Sequence, residues 1–304
     1  MAIIIKKAQP AEKTGRWPAA AEHGGRFANV IINKPPKKGV KLSLEDAAAR
    51  YEVEEIIGEG GSGRILRAFD KILEMEVAIK ILAPHLVRDD EALAALKAEV
   101  RINLSLIHKH ILRIYNLERS GKNYLIIMEL LKGKTIFQHL RESPGGFEDD
   151  FTVPLLEVAA DAIGYAHRHG VLHLDLTPSN IVLTDDGIVK IIDFGIAKLM
   201  GDRAASDYIV GTPAYMSPEQ LRGEPLDARS DIYSLGVVAA QLFTGRVLTR
   251  PGESMEVLSS TPHPPVTGVS PAVAAVIEKA TAFNREDRFS AIEDFAAALR
   301  ESCR

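Results

Sequence analysis

The sequence predicts an α+β fold of two lobes, a small β-rich lobe followed by a larger helical one. Two observations lead to this prediction. Short β-rich runs separated by turn residues are concentrated in residues 51–131. From residue 132 onward, most apolar residues recur at helical spacing. With 304 residues, of which 46% are hydrophobic, the chain is long enough for two lobes that share a core.

Five β-rich runs and one helix make up the predicted small lobe. The runs are Tyr51–Ile57, Arg64–Phe69, Glu76–Leu82, Ile111–Leu117 and Tyr124–Met128. Between the third and the fourth run, Asp89, Asp90 and Glu91 open a helix, where acidic residues suit the helix dipole. The apolar positions of this helix are Leu93, Leu96, Val100 and Leu104, which fall at helical spacing.

Helices and one hairpin make up the predicted larger lobe. They are the helix over residues 155–166, the hairpin strands Ile181–Leu183 and Ile188–Ile192, and the helices Asp231–Phe243, Val273–Ala282 and Ala291–Leu299. Gly170 is the expected end of the first helix, and Asp185-Asp186-Gly187 is a strong hairpin signal. The helix that begins at Asp231 is apolar nearly all round, which predicts that it is fully buried.

Composition and charge exclude several classes of protein. The net charge of −4 offers no broad basic surface, so we expect no nucleic-acid partner. The single cysteine, Cys303, rules out an intramolecular disulfide. No apolar stretch reaches the about 18–20 residues that span a bilayer. We therefore expect no membrane span and a cytoplasmic location.

Residues 1–50 form a basic arm ahead of the lobes. They carry 10 Lys and Arg against 4 Asp and Glu, whereas the remaining residues carry 27 against 37. A basic arm on an acidic body docks on that body, binds an acidic partner or stays solvated. The sequence leaves these alternatives open, and solvation is the commonest of them.

A glycine-rich turn and a lysine point to phosphate binding. Gly58-Glu59-Gly60-Gly61-Ser62-Gly63 lies between two predicted strands, where glycine lets backbone amides approach phosphate oxygens. Because a strand and not a helix follows, the motif does not indicate a dinucleotide fold. Lys80 sits in an apolar strand and needs an anion, since an unpaired buried ammonium is costly. Glu99 is the expected partner that holds Lys80 toward the phosphates. A flexible turn and an edge lysine are the alternatives without a function.

Two loops bring together the groups that phosphoryl transfer needs. The segment from His173 to Asn180 precedes the predicted hairpin, and Asp193-Phe194-Gly195 follows it. Asp175 can orient an attacking hydroxyl or accept its proton, while Asn180 and Asp193 offer hard oxygen ligands for Mg²⁺. We read His173 as a structural residue of the loop and not as a base.

These motifs resemble those of the Hanks-type (eukaryotic-like) serine/threonine protein kinases, and bacterial members in particular. The resemblance covers about residues 51–300 and extends to the segment Gly211–Glu219, to Asp231 and to Arg288, the expected partner of Glu219. It implies the bilobal protein kinase fold, with an N-lobe of residues 51–131 and a C-lobe of residues 132–300. It also implies transfer of phosphate from ATP to Ser or Thr of protein substrates, autophosphorylation included.

The resemblance also implies a nucleotide site between the lobes. Adenine would lie between Ile65 and Ala78 above and Val182 below, with Met128 at the back of the pocket. The full set of expected nucleotide-binding residues is Ile57, Gly58, Gly60, Gly63, Ile65, Ala78, Lys80, Met128, Glu129, Leu131, Asn180, Val182 and Asp193. Asn180 and Asp193 would hold Mg²⁺, or Mn²⁺ in its place. Each apolar residue of the set is equally consistent with ordinary core.

Three residues depart from the family pattern. Leu174 replaces the arginine that grips a phosphorylated activation loop, so we expect activity that is not gated through Ser206 or Tyr208. Thr177, in the catalytic loop, replaces the lysine that contacts the γ-phosphate, a loss worth on the order of 10²-fold in rate. Asn103 stands where an apolar residue usually stacks against Phe194 and His173. We therefore expect the helix that carries Glu99 to need a partner, with the basic arm a candidate. Thr212 fits Ser/Thr specificity.

These departures leave a second hypothesis, a weakly active or inactive nucleotide-binding pseudokinase scaffold that regulates a partner protein. The intact Lys80, Asp175, Asn180 and Asp193 argue for the active enzyme. A small-molecule kinase is a third hypothesis, and the segment Gly211–Glu219 argues against it. Beyond ATP and a protein substrate, the candidate partners are a regulatory protein and a second copy of the chain.

Overall fold

The structure is a computed structural model that describes residues 50–194, 213–249 and 253–304. It confirms the predicted α+β fold of two lobes, with an antiparallel sheet in the first and helices in the second. The predictions about the basic arm of residues 1–49 and about Ser206, Tyr208 and Thr212 lie outside the described residues.

The first lobe is built on a five-stranded antiparallel sheet. Its strands are β1 (Tyr51–Gly60), β2 (Gly63–Asp70), β3 (Met75–Leu82), β4 (Ile114–Ser120) and β5 (Asn123–Met128), in the spatial order β1-β2-β3-β5-β4. Helix α1 (Asp90–Ser105) lies between β3 and β4, and the Asp89 side chain caps it by accepting a hydrogen bond from the Ala92 amide. Its residues Leu96 and Val100 are buried against the sheet in one apolar cluster.

The fourth strand begins later than the sequence predicts. We expected a strand over Ile111–Leu117, but β4 starts at Ile114. The preceding residues use their backbone groups elsewhere. Ile111 forms an isolated bridge to Ile191, and the Leu112 amide donates to the Ile191 carbonyl at 2.9 Å. Residue 191 belongs to the second lobe, so this stretch joins the two lobes before the strand begins.

The second lobe contains helices and a small three-stranded sheet. In the described part of the chain the helices are α2 (Ile136–Glu142), α3 (Asp149–Arg168), α4 (Pro218–Leu221), α5 (Ala228–Thr244), α6 (Met255–Ser260), α7 (Pro271–Ala280) and α8 (Ile292–Ser302). The strands are β6 (Gly133–Thr135), β7 (Ile181–Thr184) and β8 (Val189–Ile191). The predicted hairpin around Asp186 is confirmed as β7 and β8, and β6 adds a third strand beside β7 that we did not predict.

Helix α5 is the centre of the second lobe. It starts at Ala228, one turn before the predicted Asp231, because the Asp227 side chain caps it. From Ser230 to Leu242 every residue of the helix is buried, as the apolar sequence predicts. In the described segments no helix is both long and apolar enough to cross a membrane.

Replacing Phe295 by Ala tests the packing of this lobe. Phe295 is fully buried on α8, so the change should lower the free energy of unfolding by about 3–5 kcal/mol. The matched control is Phe137→Ala on α2, where the side chain is 43% exposed and the loss should stay below about 1 kcal/mol. Urea unfolding measures both values, and equal losses would contradict the assigned core.

Candidate active site

The glycine-rich turn joins β1 to β2 at the edge of the cleft. Gly58 and Gly60 end β1, and Gly63 begins β2. Gly63 has a φ of +134°, and a Cβ at this position would collide with the Ile81 backbone carbonyl. Only glycine fits there, because its backbone tolerates this region and it has no side chain.

The apolar residues predicted to hold adenine come together in one cluster. Its buried members include Ile65, Ala78, Met128, Leu131 and Val182, and Ile57 packs against them. They come from both lobes, since Val182 lies on β7 of the second lobe. The structure therefore joins the two lobes through one apolar cluster that contains the residues predicted to hold adenine.

Lys80 pairs with a different carboxylate from the one we expected. Its side chain is 3% exposed on β3, and Nζ lies 3.0 Å from Asp193 Oδ1. The predicted pair with Glu99 is not among the ion pairs of the described residues. A buried ammonium needs an anion, and Asp193, two residues beyond β8, supplies one. The catalytic role of Glu99 stays a prediction.

Asn103 bonds to the backbone beside Asp193. The side chain is 7% exposed, and its Nδ2 donates to the Phe194 carbonyl at 3.2 Å and to the Glu99 carbonyl at 3.1 Å. The Phe194 ring lies 4.6 Å from the His173 ring, centre to centre. Asn103 thus occupies the predicted place beside Phe194, but it binds through a polar contact that an apolar residue cannot make.

One buried carboxylate, that of Asp231, holds the loop that carries Asp175 through hydrogen bonds. Asp231 accepts the amides of His173 and Leu174, each at 2.8 Å, and lies 2.7 Å from His167 Nε2. Burial raises the pKa of Asp231, but the His167 hydrogen bond and the neighbouring charges outweigh it and hold the pKa below its ordinary value. Sequence reasoning missed His167. The signal was Asp231 itself, since an acid inside an apolar helix needs donors.

Asp175 and Asn180 contact one another in this loop. Asn180 Nδ2 donates to Asp175 Oδ2 at 3.0 Å and to the Asp175 carbonyl at 2.6 Å. Burial raises the pKa of Asp175 to about 7, against the lowering effect of Asn180, while the charge of Asp193 raises it further and that of Lys80 lowers it. A carboxylate with a pKa near neutrality suits a general base.

Thr177 has a structural contact within the same loop. Its Oγ1 accepts a hydrogen bond from the Ser179 amide at 3.2 Å, and the residue is 6% exposed. This bond caps the short 3₁₀ turn Pro178–Asn180, which carries Asn180. The hydroxyl therefore fixes the backbone that presents Asn180.

Comparison with known proteins identifies the family. A family model described as the protein kinase domain matches residues 51–298. The chain belongs to the protein kinase family. Members of this family generally use ATP and a divalent metal ion.

Relatives of this kinase domain are bacterial. The chain is 36% identical over 200 residues to a probable serine/threonine-protein kinase of Clostridium acetobutylicum, which covers 65% of this chain and 30% of that protein. It is 32% identical over 265 residues to the serine/threonine-protein kinase PknB of Mycolicibacterium smegmatis, covering 82% of this chain and 42% of that protein. The chain therefore spans well under half the length of these curated relatives.

A solved structure shares the fold. The crystal structure of the Mycobacterium tuberculosis PknI kinase domain superposes with a TM-score of 0.67 at 26% identity, covering 84% of this chain and 96% of that one. The two lobes of this kinase domain therefore have the arrangement seen in an experimental structure.

One further ion pair in the kinase domain fixes the segment between its lobes. Glu129 follows β5, and its Oε2 accepts from Lys190 Nζ at 2.8 Å and from the Arg113 amide at 3.2 Å. The Glu129 amide donates in turn to the Arg113 carbonyl at 2.9 Å. Sequence reasoning missed Lys190, because its position in the predicted strand Ile188–Ile192 gave no sign of a partner.

The expected pair of Glu219 with Arg288 is confirmed and is buried. Arg288 Nη1 and Nη2 donate to the two carboxylate oxygens of Glu219 at 2.6 and 2.9 Å, and both side chains are at most 2% exposed. Burial raises the pKa of Glu219, but the hydrogen bonds and charge of Arg288 outweigh it and leave the pKa below its ordinary value. This bidentate pair anchors α4 to the segment before α8.

Breaking this pair should destabilise the kinase domain strongly. Arg288→Gln leaves Glu219 charged in a buried site, so the free energy of unfolding at pH 7 should fall by about 3–5 kcal/mol. The matched control is Arg300→Gln, which removes an exposed pair with Glu157 and should cost less than about 1 kcal/mol. Urea unfolding measures both variants.

The cost of Arg288→Gln should also depend on pH. Because the pKa of Glu219 is lowered by folding, the native state binds fewer protons at this group than the unfolded state does. The stability from the pair is present above the unfolded pKa of about 4.3 and is lost as pH falls through the folded value. The difference in melting temperature from the unmodified protein should therefore persist from pH 7 down to about 4.3 and shrink as the pH falls below that value. A constant difference would show that Glu219 does not carry it.

Proposed function

We propose that this chain transfers the terminal phosphate of Mg-ATP to Ser or Thr hydroxyls of protein substrates, itself included. One observation carries the proposal: Lys80, Asn180 and Asp193 all lie close enough to Asp175 to act on its carboxylate. Lys80 contacts Asp193 at 3.0 Å, and Asn180 contacts Asp175 at 3.0 Å. The names of the bacterial relatives, which are serine/threonine-protein kinases, support the same activity.

The cleft suits a nucleotide along its length. The apolar cluster around Ala78 and Val182 fits a flat base. By the family resemblance, the Glu129 carbonyl and the backbone of Leu131 would hydrogen-bond to that base. The glycine-rich turn lies over the phosphate end. Lys80 lies deeper in the cleft, where its ammonium would bind phosphate oxygens as readily as it binds the Asp193 carboxylate.

The residues present also fit a divalent metal ion. Asn180 uses its Nδ2 on Asp175, which leaves its carboxamide oxygen as the remaining ligand atom. Asp193 adds a carboxylate, and hard oxygens of these two kinds are what Mg²⁺ or Mn²⁺ binds. When bound, such an ion neutralises charge on the phosphates.

Asp175 would perform the chemical step. Its carboxylate orients a substrate Ser or Thr hydroxyl and accepts the hydroxyl proton as the oxygen attacks the γ-phosphorus. A new P–O bond forms, the bond from the γ-phosphorus to the bridging oxygen breaks, and ADP leaves. Asn180 holds Asp175 in place through two hydrogen bonds during this step.

Thr177 separates this site from the usual family pattern. Because its hydroxyl caps the turn that carries Asn180, it contributes position and no positive charge. We infer that transfer proceeds without the lysine contact to the γ-phosphate. The pseudokinase scaffold is the alternative, and the names of the relatives give it no support.

Asp175→Asn tests the proposal directly. The change should lower transfer of labelled γ-phosphate, onto the protein itself and onto a generic basic protein, by about 10²–10⁴-fold. Nucleotide affinity, measured by thermal shift, should change little. The matched control Asp185→Asn alters an exposed residue of the β7–β8 turn and should keep full activity. If the unmodified protein binds ATP but transfers no phosphate, the scaffold hypothesis replaces this one.

A further inference from the structure

Gln220 on helix α4 reaches across to the loop that carries Asp175. Its Nε2 donates to the Leu174 carbonyl at 2.9 Å. Its Oε1 accepts the Ser217 amide at 3.0 Å and the Ser217 hydroxyl at 3.1 Å. The reverse amide orientation would set a donor against the Ser217 amide and an acceptor against the Leu174 carbonyl, so the network fixes this one.

The carbonyl that Gln220 holds belongs to a strained residue. Leu174 has a φ of +63°, a left-handed conformation that is unfavourable for a residue with a Cβ. Such a conformation persists only where neighbouring contacts determine it. Asp231 fixes the amide of Leu174 at 2.8 Å, and Gln220 fixes its carbonyl. The peptide groups on both sides of the strained residue are thereby clamped.

The clamped carbonyl lies in the peptide bond to Asp175. A rotation of this peptide would move the Asp175 carboxylate, and a shift of about 1 Å in a reacting group can cost 10²-fold in rate. The Leu174 side chain is apolar and 8% exposed, so it supplies no polar link to the rest of the site. Gln220 supplies that link, from the helix that follows the Pro213–Ser217 segment.

We propose that Gln220 is a positioning residue that aims Asp175 at the substrate hydroxyl by holding the Leu174 carbonyl. The inference rests on the proposed kinase function, because it assigns Gln220 a part in that reaction. The Gln220 contact also connects the substrate side of the cleft to the catalytic loop. This connection needs no arginine before Asp175.

A second glutamine separates positioning from helix capping. Gln138 forms the same capping box with Thr135 at the start of α2. Its Oε1 accepts a hydrogen bond from the Thr135 backbone amide at 3.0 Å, and its backbone amide donates to Thr135 Oγ1 at 3.2 Å. Among the described residues, Gln138 has no hydrogen bond to the loop around Asp175. Gln220 and Gln138 therefore share the capping role and differ in the bond to Leu174.

The experiment compares Gln220→Glu with Gln138→Glu in the full chain. Each change keeps the acceptor oxygen of its capping box, and only the first removes the donor to Leu174. In Gln220→Glu we expect kcat for a protein substrate to fall roughly 10- to 100-fold. The KM for ATP should stay unchanged, and the melting temperature should fall only slightly, because the new carboxylate oxygen repels the Leu174 carbonyl. Gln138→Glu should retain kcat within about twofold, because the hydrogen bonds of Gln138 go to Thr135 and not to the Leu174 carbonyl.

Two results would overturn the inference. One is a Gln220→Glu variant whose kcat is within twofold of the unmodified protein. The other is a parallel loss of nucleotide affinity and melting temperature, which would make Gln220 a purely structural residue.

Hydrogen exchange tests the same contact without catalysis. The amides of Leu174 and Asp175 should exchange faster in Gln220→Glu than in Gln138→Glu or the unmodified protein. Unchanged exchange would contradict the inference. If the unmodified protein transfers no phosphate, the proposed function fails, and the exchange rates alone decide whether Gln220 holds the loop.

Discussion

The buried carboxylate of Asp231 is the contact on which the active-site loop depends. It sits in the first turn of α5, a helix enclosed by the second lobe, and binds two successive amides of the loop. A rigid, buried helix is thus connected directly to the backbone beside Asp175. Burying a charge is costly unless donors surround it, and His167 with these two amides supplies them. The geometry of the loop follows from satisfying that one carboxylate.

A second constraint is the set of polar contacts that Lys80 and Asn103 make in the cleft. Lys80 is almost fully buried and takes Asp193 as its counter-ion, while Asn103 ties helix α1 to the Phe194 carbonyl. Helix α1, β3 and the stretch after β8 are therefore joined by polar contacts at the back of the cleft. Under the proposed function, nucleotide phosphates would compete for the same ammonium, so nucleotide binding would be linked to rearrangement of the Lys80 ion pair.

The two lobes and the central residues of the candidate site could be predicted because their sequence signals are local. Asp175, Asn180 and Asp193 lie on loops that flank a recognisable hairpin, and the buried α5 follows from a continuous apolar run. The features that the sequence could not predict depend on tertiary contacts. For Lys80, the sequence offers both Glu99 and Asp193 as carboxylate partners, and the choice of Asp193 depends on how the chain packs. Lys190 and His167 acquire partners from segments far along the chain, at Glu129 and Asp231. The start of β4 shifted because the Leu112 amide pairs with the other lobe.

The carboxamide of Asn103 also changes the chemistry of the space behind Met128. That space is lined by Asn103, Leu112, Ile126 and Phe194 among others, and apolar side chains form most of its wall. An inhibitor that extends past Met128 meets an amide where relatives with the usual pattern present a hydrocarbon surface. A polar group on such an inhibitor that hydrogen-bonds to Asn103 would strengthen binding at this site. At a site with an apolar residue in this position, the same group would weaken binding, because it would be desolvated without a partner. The same side chain that ties α1 to Phe194 would thus distinguish the proposed nucleotide site from sites with an apolar residue at this position.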